Sequence, residues 1–174
     1  MTHLVSWRQA TLADAELLRQ FTCCLHMPVS MGRRRDLCEG RWAHDVQTHI
    51  RVDALSVQAG FRHLDHRLML LFDGSSLVGV AAHEQLAQQP ESRWLECLAV
   101  STAVRGKKLS NAQRASTCLF EHVIHDMKGR VPPAGQMKAK VHPGNMRSLG
   151  LLDRMDCNVS TDAGTGFFPV SLRL

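Results

Sequence analysis

The sequence predicts one α/β domain in which a mixed sheet carries helices packed on its faces. Three observations point there. The chain has 174 residues, 44% of them hydrophobic, which is enough to fill one core of that size, so residues 1–174 are expected to form a single domain. Segments with period-two alternation interleave with segments of helical period, the pattern of a sheet with helices laid on it. The run Asp73, Gly74, Ser75, Ser76 separates two short apolar stretches, and because Asp and Gly tolerate positive φ it marks a β-hairpin.

Taken in order, residues 4–9 alternate as a first strand, and Thr11 with Asp14 three residues on resembles a capping box opening a helix to about Cys24. Residues 28–35 turn irregular and basic, with Met31-Gly32-Arg33-Arg34-Arg35 expected as an exposed loop, and residues 37–55 return to helical spacing. The hairpin strands cover 67–72 and 77–83, and another strand covers 93–100. A long amphipathic helix is expected over 110–127, with Ala112, Ala115, Leu119 and Val123 on one side. A strand over 136–142, a helix capped by Asn145 and running to about Met155, and a closing strand over 167–174 after a Gly-rich turn at 163–166 complete the chain.

Lys and Arg number 21 against 16 Asp and Glu, a net charge of +5 that suits an anionic ligand or a nucleic acid without choosing between them. No apolar run reaches the roughly 18 residues of a membrane span, and the N-terminus lacks a charged start followed by an apolar stretch. A soluble, cytoplasmic protein without membrane contact is expected. The six cysteines, Cys23, Cys24, Cys38, Cys97, Cys118 and Cys157, are expected as free thiols, since a domain of this size needs no bridges. Zinc is not expected at Cys23, Cys24, His26 and Cys38, because adjacent cysteines suit one tetrahedral ion poorly and no CxxC or HxxxH spacing is present.

The stretch Leu98-Ala99-Val100-Ser-Thr-Ala-Val-Arg105-Gly106-Lys107-Lys108-Leu109-Ser110-Asn-Ala passes from a strand through a basic turn toward a helix. Free N–H groups and the dipole at a helix start form an anion site, and the three cations would add charge around it. This stretch resembles the element of the GNAT superfamily of acyl-CoA-dependent N-acyltransferases in which a central strand runs into an Arg/Gln-x-x-Gly-x-Gly/Ala loop. Residues 140–157, Lys-Val-His-Pro-Gly-Asn145-Met-Arg-Ser-Leu-Gly-Leu-Leu-Asp-Arg-Met-Asp-Cys, are similar to the later strand, turn and helix of that family. The element order matches over 4–174, and residue matches are confined to these two segments.

The resemblance implies a mixed, mostly antiparallel sheet flanked by helices on both faces, and acetyl-CoA as co-substrate with no metal. Its cofactor contacts would come from Leu98, Ala99, Val100, Arg105, Gly106, Lys107, Lys108, Leu109, Ser110 and Asn145. Lys108 stands where the family places its first glycine, and Ser110, a good N-cap, at its second small residue. Asn145 is equally an ordinary N-cap or Asx turn.

Acyl transfer to an amine needs a neutral amine, a stabilised oxyanion and a proton for the departing thiolate. Backbone N–H groups around residues 98–100 answer the second need. For the first, the resemblance points to Glu96, directly or through water, with Glu84 second; strand alternation would alternatively turn Glu96 to solvent or onto Arg93. His83 reads as a surface or strand-end histidine. For the third, the tyrosine of many relatives falls at Leu152, and the chain contains no tyrosine. Ser148 or Cys157 could act there only with suitable geometry; Cys97, Cys118 and Cys157 read as core thiols.

The implied function is transfer of an acetyl or acyl group from acetyl-CoA to a primary amine by direct attack in a ternary complex, on a small amine or a protein or aminoacyl-tRNA amino group. Arg33, Arg34 and Arg35 would suit an anionic acceptor, Met27, Met31 and Trp42 a pocket, and the closing strand a homodimer. Two alternatives stay open: an acyl-CoA-binding domain of little or no activity, favoured by Lys108 and Leu152, and a nucleic-acid-binding module. Only 5% of residues are aromatic and no RRM or helix-turn-helix signature appears, which weighs against the last.

Overall fold

The computed structural model describes residues 4–24, 39–58, 65–161 and 166–174, with side chains of the second helix described over 43–52. His26, Met27, Met31, Arg33, Arg34, Arg35 and Cys38, the side chain of Trp42 and most of the 163–166 turn lie outside the described residues.

Strand β1 (Val5–Gln9) leads through a 3₁₀ turn (Leu12–Asp14) into α1 (Ala15–Gln20), and α2 (Glu39–Gln58) follows. Then come β2 (Arg67–Asp73), β3 (Ser76–Leu86), β4 (Gln89–Val100), α3 (Ala115–Lys128), β5 (Gln136–Val141), α4 (Met146–Arg154), β6 (Asn158–Val159) and β7 (Phe168–Arg173). They form one seven-stranded sheet in the order β1-β2-β3-β4-β5-β7-β6, antiparallel throughout except for the parallel pair β4–β5.

The Thr11–Asp14 motif forms, with the Asp14 carboxylate accepting the Thr11 N–H at 2.8 Å and hydroxyl at 2.9 Å. Asp14 also takes both guanidinium nitrogens of Arg8, at 2.6 and 2.7 Å, which ties β1 to the turn and holds the carboxyl well below the usual range. The expected helix to Cys24 stops at Gln20, because Phe21 takes an extended conformation.

Two cores separate the sheet from its layers. On one face Met69, Leu71, Ala81, Leu95 and Met137 pack against Leu119, Phe120, Val123 and Met127 of α3 and Leu151 and Leu152 of α4. On the other, Leu68, Leu70, Val80, Ala82, Cys97 and Ala99 meet Leu18 of α1, Phe21 just after it and Ile50 of α2. The described cysteines are free thiols, buried except for half-buried Cys157, and burial pushes Cys97 up to about 12 and Cys157 up to about 11. No helix among the described residues is long and apolar enough to cross a membrane.

The expected helix start at Ser110 is corrected by the structure: α3 begins at Ala115 with Arg114 as its N-cap. Residues 109–113 close a turn instead, Leu109 N donating to Gln113 O at 2.8 Å and Ala112 N to Leu109 O at 2.9 Å. The Asn111 carboxamide takes the Gln113 N–H at 3.1 Å, and Ala112 sits at φ 65°, outside helical space. A short polar side chain bonding its own backbone is the usual competitor of a helical turn. Ala112 therefore leaves the helix face assigned to it. The two-residue β6 is also absent from the expectations above.

Candidate active site

Strands β4 and β5 are paired only at Ser92–Gln136, Arg93–Met137 and Trp94–Lys138, yet β4 runs on to Val100 and β5 to Val141. Among the described residues, the second half of β4 beyond Trp94 is thus paired on its β3 side alone. Ser101 N donates to Val78 O at 2.9 Å, so strand alternation aims the N–H of Ala99 toward β3 and those of Leu98 and Val100 toward the side where the β5 pairing has ended. Residues 98–100 therefore do not form one equivalent set of donors.

The pairing of β3 with β4 slips between Ala82–Cys97 and His83–Leu95, which leaves Glu96 as the extra residue of a β-bulge. The bulge takes Glu96 out of the alternating pattern and away from Arg93, with about a third of its side chain open to solvent. Its carboxylate meets His49 of α2 at 3.2 Å and His66, just before β2, at 2.8 Å. Hydrogen bonds from His49 and then His66 outweigh burial and hold the Glu96 carboxyl well below the usual range. His66 is 5% exposed, and its Nδ1 is buried with no hydrogen-bond partner. A cleft of about 330 Å³ opens beside this group along α2, lined by His44, Asp45, Thr48, His49 and Val52.

Arg93 and His83, both 0% exposed, belong to a separate buried network. The Arg93 Nε–H donates to His83 Nδ1 at 2.8 Å, so the His83 proton sits on Nε2, 3.1 Å from Asp126 Oδ2. Arg93 also pairs with the carboxylate of Asp65, while Asp126 accepts from Arg67 Nη2 at 3.1 Å and from Arg130 Nε at 3.0 Å. Burial pushes the His83 imidazole down. The reading of His83 as a surface residue is corrected: as a neutral acceptor for Arg93 it joins β3, β4 and α3. Glu84 is half-buried on β3 opposite Trp94, with no contact that joins it to Glu96 among the bonds described.

The basic loop lies in the turns between β4 and α3, well before the helix start. Arg105 bonds the carbonyl of Cys23, and Lys107 Nζ bonds Ala103 O at 2.9 Å. Gly106 has φ +78°, and a Cβ placed there would meet nothing within 4 Å, so the turn dihedral rather than a close approach asks for glycine. Lys107 N and Leu109 N donate within the loop, and Ser110 N donates to Asp73 Oδ2 at 3.1 Å. Asp73, Lys108, Leu109 and Ser110 line a cleft of about 350 Å³. Asn145 caps α4, its side chain taking the Ser148 N–H at 3.2 Å, which commits that N–H to the cap.

His49 and His66 were not among the residues that the sequence singled out, and Asp73 was singled out only as a turn residue. They lie 47, 30 and 37 positions from the residues they meet, and no local spacing announces them.

No family model and no curated protein matches the chain. Solved structures do. The GNAT domain of S. lividans PAT is similar at 14% identity and a TM-score of 0.66, covering 98% of this chain and 90% of that one. The PaiA N-acetyltransferase of Thermoplasma acidophilum, in complex with coenzyme A, is similar at 15% identity and 0.62, covering 98% and 99%. The N-acetyltransferase PseH of Campylobacter jejuni, in complex with acetyl coenzyme A, is similar at 14% and 0.61, covering 98% and 99%. The chain has the GNAT fold.

Proposed function

We propose that this chain is a GNAT-type N-acyltransferase that moves the acetyl group of acetyl-CoA onto a primary amine by direct attack. The observation that carries the reading is the half-paired β4, whose Leu98 and Val100 N–H groups lie past the end of the β5 ladder. An acyl thioester laid along that edge would find backbone donors for the oxyanion of the tetrahedral intermediate. That the same fold holds coenzyme A and acetyl coenzyme A in two similar structures supports the choice of donor.

Glu96 and its imidazoles supply the amine side. An ammonium entering along α2 meets an ionised carboxylate that draws it in and two histidines, the side chain that exchanges protons most readily near neutrality. The departing thiolate has no tyrosine to protonate it, since the chain contains none, and Leu152 at the matching position is buried in the core. A thiol with a pKa near 8.5 leaves without a strong acid, so water suffices.

The phosphate end of the donor fits less well, because Arg105, Lys107 and the Ser110 N–H are engaged within the protein. That observation favours a second reading, an acyl-CoA-binding domain without turnover. Thiol release from acetyl-CoA, followed across a panel of small amines, peptides with free amino groups and aminoacyl-tRNA, separates the two. The expected result is amine-dependent release exceeding one equivalent of protein. Release that no amine accelerates overturns the enzyme reading.

A further inference from the structure

We propose that Asp73 sets the donor specificity of the site: its carboxylate occupies the anion position of the basic loop, so the phosphates of a coenzyme A donor add little to its binding. The inference rests on the acyl-CoA reading above and concerns only the end of the donor remote from the thioester.

Asp73 ends β2, and the hairpin turn brings it to the loop after β4, whose entry is fixed by the Ser101–Val78 hydrogen bond. There its Oδ2 takes the Ser110 N–H at 3.1 Å. Three cations lie within four residues, Arg105, Lys107 and Lys108, and the cleft beside Lys108 already holds an anion of the protein's own, Asp73. Two of those cations are tied to carbonyls, Arg105 to Cys23 and Lys107 to Ala103, so the cleft keeps Lys108 against the Asp73 charge. A pyrophosphate entering here meets one like charge for each unlike one and must displace Asp73 from the N–H it needs.

The other oxygen, Asp73 Oδ1, is buried and has no hydrogen-bond partner. A buried carboxylate oxygen without a partner is held at a cost in desolvation, which makes the contact displaceable rather than a firm structural bond. Asn at this position keeps the turn chemistry, the shape and one acceptor while removing the charge. Asp73→Asn is therefore the decisive substitution, with Asp73→Ser as a second variant that also forms turns.

Affinities of coenzyme A and of pantetheine, which lacks the phosphates, are measured by amide chemical-shift titration on the wild-type chain and both variants. Coenzyme A is expected to bind about tenfold more tightly to Asp73→Asn and to Asp73→Ser than to the wild type, the size of one screened like charge removed at close range. Pantetheine affinity is expected to stay within about twofold. Coenzyme A affinity that is unchanged or weaker in the variants, with binding to the wild type intact, overturns the role of Asp73 and leaves the acyltransferase reading standing. Failure of coenzyme A to bind any of the three chains overturns both.

Discussion

Replacing Arg93 by methionine is expected to cost about 3–5 kcal/mol of stability, the range for removing one partner of a buried ion pair. Arg93 is fully buried and serves three groups at once: the Asp65 carboxylate, the Asp65 carbonyl at 2.8 Å and His83 Nδ1. Methionine fills much of the volume, removes the donor to His83 Nδ1 and to the Asp65 carbonyl, and leaves the Asp65 carboxylate only Arg130 at 3.6 Å, so the penalty is desolvation rather than a cavity. Urea unfolding checks it, with exposed Lys128→Met as the control expected within about 0.5 kcal/mol of the wild type. A loss below about 1 kcal/mol for Arg93→Met would show that water or a neighbour replaces the guanidinium.

The same network fixes a pH dependence. Burial depresses the His83 imidazole below its ordinary 6.5, so below that pH the unfolded chain takes up a proton that the folded chain refuses. Stability is therefore complete above about pH 6.5 and falls as the pH drops through the depressed folded value. Asp126 acts in the same sense at lower pH. Burial opposes its charge, but the His83 hydrogen bond with Arg67 and Arg130 wins and holds it below its ordinary 3.8. A urea midpoint that does not move between pH 8 and 5, or that moves equally in His83→Gln, would contradict this assignment.

Glu96→Gln is expected to lower kcat/KM for amine acylation by about 10²–10³, because the charge that draws in the ammonium and orients both imidazoles for proton transfer is lost. The isosteric amide keeps the bulge and removes the charge that both imidazoles face. Glu96 is a third exposed, so stability is expected to change little. Glu96→Asp, with the charge kept and the reach shortened, is expected to recover part of the loss. A Gln variant within about threefold of the wild type would move the amine chemistry to another group.

Much of the architecture could be read from the chain, because each strand and helix has its own period and the Asp-Gly turn joins β2 to β3 locally. Boundaries failed where a side chain bonded its own backbone: Asn111 turned residues 109–113 away from the helix that the apolar pattern starts at Ser110. Glu96 was visible as a candidate, but its orientation was not. Strand alternation cannot show a bulge, which depends on how His83 and Leu95 pair across two strands. The loop cations were equally visible, and their engagement with Cys23 and Ala103 was not, since a charged residue in a sequence carries no record of the carbonyl it will meet.

Everything proposed for the reaction depends on the half-paired edge of β4 receiving the acyl thioester. Nitrogen-15 amide spectra of the assigned chain, recorded during titration with acetyl-CoA, test this most directly. Saturable shifts are expected, largest at Leu98 and Val100, with Ala99, whose N–H faces β3, moving less. Shifts confined to residues 105–110, or scattered over the surface without saturation, would contradict it.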